Sequence, residues 1–386
     1  MDQSRRRDIL PDIYRGREQS YIKHLILRQY LQTVAWHILW SQQEFVFVDG
    51  FSGPWNSNSA NYEDTSFGIA MSLLRRVRDD LRARHRRERR VRCIFVEKAT
   101  NSYARLCQAV RAASDIEAQA IHGSFEDHVT EILDAIGSAF SLIFIDPKGW
   151  SFDLRKLGPL LRHKPSEVIV NFMFEHVNRF LNDPRPEIRA SYNLPFGDSN
   201  WRSRFEALLS SGLGREEAVL ELFREQLKAV GEFTYVLSAR IQRPTADRSH
   251  FYLVYGTRNQ KGLIEFRNVE KKAMAAEEHS RIEAQRDRQY SRTGQGRLAI
   301  DVPRPVASLR GPEIEQAKRW VRSRLAPSSP ATYASLLENT LERFAVTEPE
   351  FKDLLVDMQR HAEIKFEGMA PRQRKPGAGT TVSLLE

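Results

Sequence analysis

The chain has 386 residues and a formal net charge of +9, a length that accommodates a large α/β domain and a smaller second one. It contains no run of the ~20 apolar residues that a membrane-spanning helix needs, and its basic amino terminus lacks the apolar core of a signal peptide. Two cysteines, Cys93 and Cys107, and scattered histidines exclude a disulfide framework and a structural zinc cluster. We therefore predict a soluble cytoplasmic protein without a structural metal, whose basic excess favours polyanionic partners.

The first predicted elements are an amphipathic helix at residues 21–40 and a strand at residues 45–48, FVFV, of the type that is buried on both faces. The strand ends in residues 49–53, DGFSG, whose glycines favour positive φ and a close approach to a ligand. In open α/β sheets, ligands bind outside the carboxyl ends of the strands. We expect Asp49 to point to such a site and Lys23 to face the same pocket. The alternative for Lys23 is an ordinary surface lysine.

A polar segment at residues 56–65 follows, either a lid or a connecting loop. Residues 75–92, RRVRDDLRARHRRERRVR, form an arginine ridge, which is either the solvated face of a helix or a surface that contacts phosphates. A second buried-type strand at residues 91–96 ends in Glu97. Its carboxylate suits either the two hydroxyls of a ribose or the start of the next helix.

Three more strands are predicted at residues 116–121, 141–145 and 168–170. They alternate with helical segments, which is typical of a doubly wound sheet. A helical insertion at residues 181–231 precedes two further strands, at residues 233–243 and 250–256, whose short connection favours an antiparallel hairpin.

The carboxy-terminal part has a pattern of its own. Residues 291–311 carry turn residues with little periodicity and are predicted to link a first domain, residues 1–290, to residues 312–386. The latter predict three helices and a β-hairpin with a basic tip, the order of a winged helix-turn-helix domain. In that fold the third helix and the wing commonly contact nucleic acid; the alternative is a protein-docking module of the same shape.

Three cofactors are weighed for the first domain. The glycine loop lacks the lysine and hydroxyl of an ATP-binding loop, and it lacks the GxGxxG spacing of a nicotinamide site. S-adenosylmethionine carries no phosphate and bears a sulfonium and an ammonium group, so acidic side chains in its pocket are favourable. Asp49 and Glu97 match that requirement.

The fourth strand ends in Asp146-Pro147, where a carboxylate can accept a hydrogen bond from an amine. The following carbonyl can take a second N–H, and Lys148 or Lys23 could serve by charge. Methyl transfer is an in-line displacement, so positioning supplies most of the acceleration. Asn171 and Phe172, at the end of the fifth strand, would wall the acceptor side, with the ring stacking on a flat base. The alternative for Asp146-Pro147 is a simple turn.

The chain resembles the three-Cys-motif partner protein family in a set of motifs taken together. These are VDGFSGPW, the strand ending in Glu97, FIDPKGW, IVNFMFEHVNRF and the carboxy-terminal pattern. That family is similar to class I S-adenosylmethionine-dependent methyltransferases and is named for an accompanying three-cysteine protein. The resemblance implies a Rossmann-like seven-stranded sheet with a reversed final strand. It implies that the methionine part of the cofactor is bound by the glycine loop, the ribose by Glu97, the cofactor carboxylate by Lys23 and the acceptor by Asp146 with Pro147. The loop residues and the adenine-side residues concerned are Asp49, Gly50, Phe51, Gly53, Ser124 and Phe125.

Three places differ from the family pattern. Trp55 stands where glycine is usual and would narrow the loop, and Thr65-Ser66-Phe67 stands where a Gly-Ser-Pro step is usual. Ser124 stands where Asp or Asn often accepts from the adenine amine.

These observations predict a methyltransferase acting on nucleic acid at a base nitrogen, with the winged helix and the arginine ridge gripping the substrate. The alternative is a non-catalytic nucleic-acid-binding or partner-docking protein that keeps the fold, and a third possibility is a methyltransferase for protein or small molecules. A three-cysteine-motif partner is also implied.

Overall fold

The computed structural model describes residues 10–53, 57–150, 152–246, 248–293, 303–325 and 330–385. Its centre is a seven-stranded sheet with the order β3-β2-β1-β4-β5-β7-β6, in which β1 to β5 are parallel and β7 is antiparallel to both of its neighbours. The strands are β1 Glu44–Asp49, β2 Arg90–Glu97, β3 Glu117–His122, β4 Phe140–Ile145, β5 Ser166–Phe172, β6 Tyr235–Gln242 and β7 Ser249–Thr257.

This topology confirms the α/β fold and the seven-stranded sheet with a reversed final strand. The central strands form where the sequence is continuously apolar, because both faces of a parallel sheet are covered by helices. In β4 every residue is buried. The chain leaves β1 and β4 in opposite directions across the sheet, so these neighbours mark the switch point where a crevice opens at the carboxyl edge.

Helices cover both faces of the sheet, and two apolar clusters fill the layers between them. The helices of the sheet domain are α1 Glu18–Ser41, α2 Ser66–His85, α3 Thr100–Ala112, α4 Val129–Ile136, α5 Gly158–Leu161, α6 Phe174–Phe180, α7 Pro186–Ser191, α8 Asn193–Phe196, α9 Trp201–Ser210, α10 Arg215–Gly231 and α11 Gln260–Thr293. Short 3-10 helices lie at Asp12–Tyr14 and Phe125–His128. No helix among the described residues has the length and apolar character needed to cross a bilayer.

The carboxy-terminal part packs against α11 and the start of β6. Arg267 of α11 donates to the carbonyls of Leu341 and Glu342, and the Glu342 carboxylate accepts from the backbone N–H of Val236. This part comprises α12 Val306–Arg324, α13 Tyr333–Arg343, α14 Glu348–Arg360 and a three-stranded sheet of β8 Ala331–Thr332, β10 Thr381–Leu384 and β9 Ile364–Glu367.

The segment expected to be a linker, residues 291–311, is helical at both ends, and α11 runs into it as far as Thr293. Helix α12 begins at Val306, inside the segment expected to be a linker, and Pro312 lies within the helix. Residues 294–302 of that segment lie outside the described residues. The division into domains at 1–290 and 312–386, and the assignment of the latter as a winged helix, stay predictions.

The third carboxy-terminal helix, α14, is acidic. Within it, Glu348, Glu350, Asp353 and Asp357 outnumber Lys352 and Arg360. Nucleic acid binding needs cationic side chains that replace the counterions of the phosphates. The charge of α14 is therefore opposite to that expected of a nucleic-acid-reading helix.

The arginine ridge lies far from the carboxyl edge. Arg90 pairs with Glu117 and Glu44, which begin β3 and β1, so the carboxy-terminal half of the ridge borders the amino ends of the strands. A strand of six residues spans about 20 Å. The carboxy-terminal half of the ridge therefore lies at the edge of the sheet opposite to the carboxyl edge, and a contact between the ridge and a substrate stays a prediction.

Candidate active site

Two cavities open at the carboxyl edge of the sheet. The first cavity has a volume of about 580 Å³ and lies over the ends of β1, β2 and β4. Its walls include a set of side chains and loops from both halves of the sheet: Gly50, Phe51, Glu97, Lys98, Gly123, Ser124, Phe125, Glu126, Asp127, Asp146, Pro147, Lys148, Asp153, Lys156 and Leu194. Five carboxylates and three ammonium groups thus face one space, an excess of negative charge that suits a cationic ligand.

Position 50 must be glycine because a larger side chain would collide with the ring of Phe125. A Cβ at Gly50 would lie 2.5 Å from Cδ1 of Phe125, whose ring is buried and packs edge-on against Phe51. The expected positive φ is wrong for Gly50. The absent side chain instead lets the Phe125 ring approach the backbone and form part of the cavity wall.

Asp49 ends β1 and is completely buried. Its Oδ1 accepts from the backbone N–H of Phe51 at 3.0 Å, and its Oδ2 accepts from the Ser66 hydroxyl at 2.5 Å. Burial raises the pKa of Asp49 to about 6, against the lowering effect of these hydrogen bonds. Asp49 lines neither cavity. The carboxylate shapes the loop above β1, and a direct contact with a cofactor stays a prediction.

Asp49→Asn should change the pH dependence of stability. Since the folded-state pKa of about 6 exceeds the unfolded value, ionised Asp49 costs stability above that pKa and costs none below about pH 4. The amide removes this cost, so the variant should gain about 1–3 kcal/mol relative to the parent protein between pH 4.5 and 7.5. Urea unfolding at the two pH values measures the difference. A difference that is the same at both values would contradict this account of Asp49.

Glu97 is buried at the end of β2 and lines the first cavity. Its Oε1 accepts from the backbone N–H of Ala99, the residue that precedes α3, at 2.6 Å. Burial raises the pKa of Glu97. Both readings of this residue are therefore compatible with its position, because one oxygen stabilises the start of the helix while the side chain borders the cavity.

A carboxylate lies beside Ser124 that sequence reasoning missed. Ser124 donates its hydroxyl proton to Oδ2 of Asp127 at 2.6 Å, and both residues line the first cavity. The 3-10 turn that follows β3 brings residues three apart together. The spacing Ser124-x-x-Asp127 was the available signal.

The second cavity, of about 300 Å³, adjoins the first, and the two share Phe51, Asp146, Pro147 and Lys148. Its other walls come from α1, the loop after β1, the end of β5 and β7. They include Lys23, His24, Gly53, Ser57, Asp64, Ser66, Asn171, Met173 and His250.

Lys23 contacts Asp146 directly. Its Nζ forms an ion pair with Oδ2 of Asp146, and both side chains are largely buried, with 13% and 18% of their surfaces exposed. Lys23 also lines the second cavity, and its implied position beside a cofactor carboxylate stays a prediction. The charge of Lys23 is thus already engaged on the acceptor side of the site.

Asn171 also holds Asp146. Its Nδ2 donates to Oδ1 of Asp146 at 2.5 Å, and the residue lines the second cavity. Phe172, by contrast, is 2% exposed and stacks on Phe223 with ring centroids 4.4 Å apart. Adjacent strand residues point to opposite faces of the sheet, so Phe172 lies in the core. The expectation that its ring stacks on a base is wrong.

The polar segment after β1 closes one side of the second cavity. Asp64 is buried, accepts from the Ser57 hydroxyl at 2.6 Å, and pairs with Arg17 at the same distance. Burial raises the pKa of Asp64, but these contacts outweigh it and hold the pKa below its ordinary value. Trp55, expected to narrow the loop, lies outside the described residues.

The site fits the predicted cofactor better than a metal. The cavity volume, the close approach permitted by Gly50 and the five carboxylates suit a cationic nucleoside. No group of three or more His, Cys, Asp or Glu side chains among the described residues could hold a metal ion.

No family model and no curated protein matches the chain, so the resemblance to the three-Cys-motif partner proteins stays a prediction. Among solved structures, the chain is similar to protein LPL1258 from Legionella pneumophila, with 10% identity, a TM-score of 0.42, and coverage of 68% of this chain and 94% of that one. It is also similar to cofactor-bound Rv0187 from MTB, with 13% identity, a TM-score of 0.30, and coverage of 60% and 80%. Loganic acid methyltransferase with SAH gives 9% identity, a TM-score of 0.30, and coverage of 72% and 89%. At these TM-scores the likenesses carry no argument, and fold and function rest on the chain itself.

Proposed function

We propose that the protein is an S-adenosylmethionine-dependent methyltransferase that acts on nucleic acid at a base nitrogen, in the cytoplasm. The observation that carries this proposal is the meeting of two cavities, of about 580 and 300 Å³, at Asp146-Pro147-Lys148 on the carboxyl edge of the sheet. The first cavity is large enough for a nucleoside cofactor. The second cavity gives a methyl acceptor access to the carboxylate of Asp146, which lines both cavities.

In the first cavity, the residues present can hold the nucleoside part of the cofactor. Glu97 can accept from the ribose hydroxyls, and Asp127, oriented by Ser124, can accept from the adenine amine. Phe51 and Phe125 offer an apolar wall for the nucleoside. When bound, the cofactor supplies an electrophilic methyl group on a sulfonium.

Asp146 is the residue proposed to position the acceptor. Lys23 and Asn171 each engage one of its oxygens, which fixes the carboxylate where the two cavities join. Holding the acceptor nitrogen in line with the methyl group converts a bimolecular step into a unimolecular one. Asp146 accepts a hydrogen bond from the acceptor, with Pro147 completing the wall.

The nucleic-acid part of the proposal rests on the basic excess of the chain and on the amine-accepting chemistry of Asp146. Neither the arginine ridge nor the acidic helix α14 supports it. The acidic surface of α14 favours a second candidate role, in which the carboxy-terminal part docks a protein partner. A three-cysteine-motif protein is the partner that the sequence resemblance implies.

Transfer of a tritiated methyl group to total RNA, total DNA and a protein extract tests the proposal. We expect label in RNA or DNA. Label only in protein would replace nucleic acid as the substrate class. If no label appears in RNA, DNA or protein and the cofactor does not bind at millimolar concentration, the protein is not a methyltransferase, and the alternative of a non-catalytic binding protein stands.

A further inference from the structure

Asn171 has an unusual environment for a buried amide. Only 3% of its surface is exposed, and Nδ2 is fixed by Oδ1 of Asp146, which also fixes the orientation of the amide. Its Oδ1 has no hydrogen-bond partner among the described residues. Leaving such an oxygen unpaired destabilises the fold, so the site retains an acceptor that the protein itself does not use.

The position of this oxygen connects it with the second cavity, which Asn171 lines. Met173 lines the same cavity, and its sulfur lies 3.4 Å from Nδ2 of Asn171. Methionine is unbranched and changes rotamer readily. Met173 is therefore a wall of the second cavity that can change position beside the amide.

Asp146 supplies a second acceptor beside it. A carboxylate offers about four lone-pair sites, and Lys23 and Asn171 occupy one on each oxygen. Two acceptors, the Asp146 carboxylate and the Asn171 Oδ1, therefore belong to side chains that are hydrogen-bonded to each other and line the same cavity. A group with two N–H donors satisfies both, whereas a hydroxyl or a ring N–H satisfies only one.

We propose that Asn171 Oδ1 and Asp146 together select an exocyclic amino group of a base as the methyl acceptor. This inference rests on the proposed function and narrows it from a base nitrogen to the amino nitrogen of adenine or cytosine. Lys23 has N–H donors beyond the one that faces Asp146. They suit a ring nitrogen on the Watson–Crick edge that accepts a hydrogen bond next to the amino group, as in adenine and cytosine, whereas the corresponding nitrogen of guanine carries a proton.

The step balances with these residues alone. The lone pair of the amino nitrogen forms the N–C bond as the S–C bond breaks, and the pair of that bond stays on sulfur, which leaves as a neutral thioether. The nitrogen becomes cationic and releases one proton, which Asp146 accepts and passes to water.

The first test locates the methyl group. Total RNA and DNA are labelled with a tritiated donor, digested to nucleosides and separated by chromatography. We expect the label on the amino group of adenine or cytosine. Label on a ring nitrogen would overturn the inference and leave base methylation intact, whereas no label in either nucleic acid would overturn both.

Asn171→Ala should lower kcat about 10- to 30-fold with little change in cofactor affinity, since one hydrogen bond of about 1.5–2 kcal/mol is lost. The matched control is Ser141→Ala. Ser141 also has a buried oxygen without a partner among the described residues, and it lies at the amino end of β4, away from both cavities. Equal effects of the two changes would contradict a role at the acceptor.

Two further readouts separate selection from structural support. With S-adenosylhomocysteine present, an oligonucleotide carrying adenine should bind about 10-fold more tightly than one carrying N6,N6-dimethyladenine, and Asn171→Ala should abolish the preference. Asn171→Asp should keep activity at low pH and lose it as pH rises, because two adjacent carboxyl groups share one proton. The proposal would be contradicted if Asn171→Ala kept the preference for adenine, or if Asn171→Asp had the same pH profile as the parent protein.

Discussion

Asp146→Asn is expected to lower turnover about 100-fold while changing cofactor affinity less than about threefold. The reason is that the amide cannot supply the charge-assisted hydrogen bond to the acceptor, worth about 1.5–3 kcal/mol, although the wall of the first cavity keeps its shape. Single-turnover kinetics measure the chemical step, and isothermal titration measures cofactor affinity. Equal losses in both would argue against an acceptor-side role.

The same change leaves Lys23 without its anion, in a position where 13% of its side chain is exposed. An unpaired buried charge destabilises a fold. The double variant Asp146→Asn/Lys23→Met removes both charges and should recover stability in thermal unfolding without recovering turnover. A matched control is Asp115→Asn, which removes an exposed carboxylate that pairs with Arg75.

Gly50→Ala is expected to lower cofactor affinity at least about 30-fold and to destabilise the fold by about 1–3 kcal/mol. The new Cβ would lie 2.5 Å from the Phe125 ring, which is buried and forms part of the wall of the first cavity. Displacing the ring moves the wall of the first cavity. Titration with S-adenosylhomocysteine and chemical unfolding give the two values.

Gly311→Ala is the matched control, because nothing lies within 4 Å of its Cβ position and it lies within α12. Alanine in a helix is favoured over glycine by about 0.5–1 kcal/mol, so this variant should be slightly stabilised. Adding Phe125→Leu to Gly50→Ala should restore part of the affinity by making room. If Gly50→Ala binds the cofactor as tightly as the parent protein does, the close approach of Phe125 to Gly50 is not needed for cofactor binding.

The sheet could be predicted because its central strands are buried on both faces and must be apolar throughout. Strands β1 and β4 are examples, and the polar residues directly after them mark the carboxyl edge. The direction of the parallel strands also indicates where the arginine ridge lies, because a segment that precedes such a strand lies at the amino edge of the sheet. The charge of the ridge alone had suggested a position beside the substrate.

The contacts within the site could not be predicted from spacing. Lys23 and Asp146 are 123 residues apart, and only the packing of α1 on the sheet brings them together. Gly50 and Phe125 likewise follow different strands, β1 and β3. The error at Phe172 is of another kind, because strand alternation already implied that Asn171 and Phe172 face opposite sides.

The most direct test is the structure of the protein with bound S-adenosylhomocysteine. The account predicts the nucleoside in the first cavity, with its ribose hydroxyls on Glu97 and its adenine amine near Asp127, and with the sulfur directed at Asp146. Density for the ligand elsewhere, or none at millimolar concentration, would contradict it.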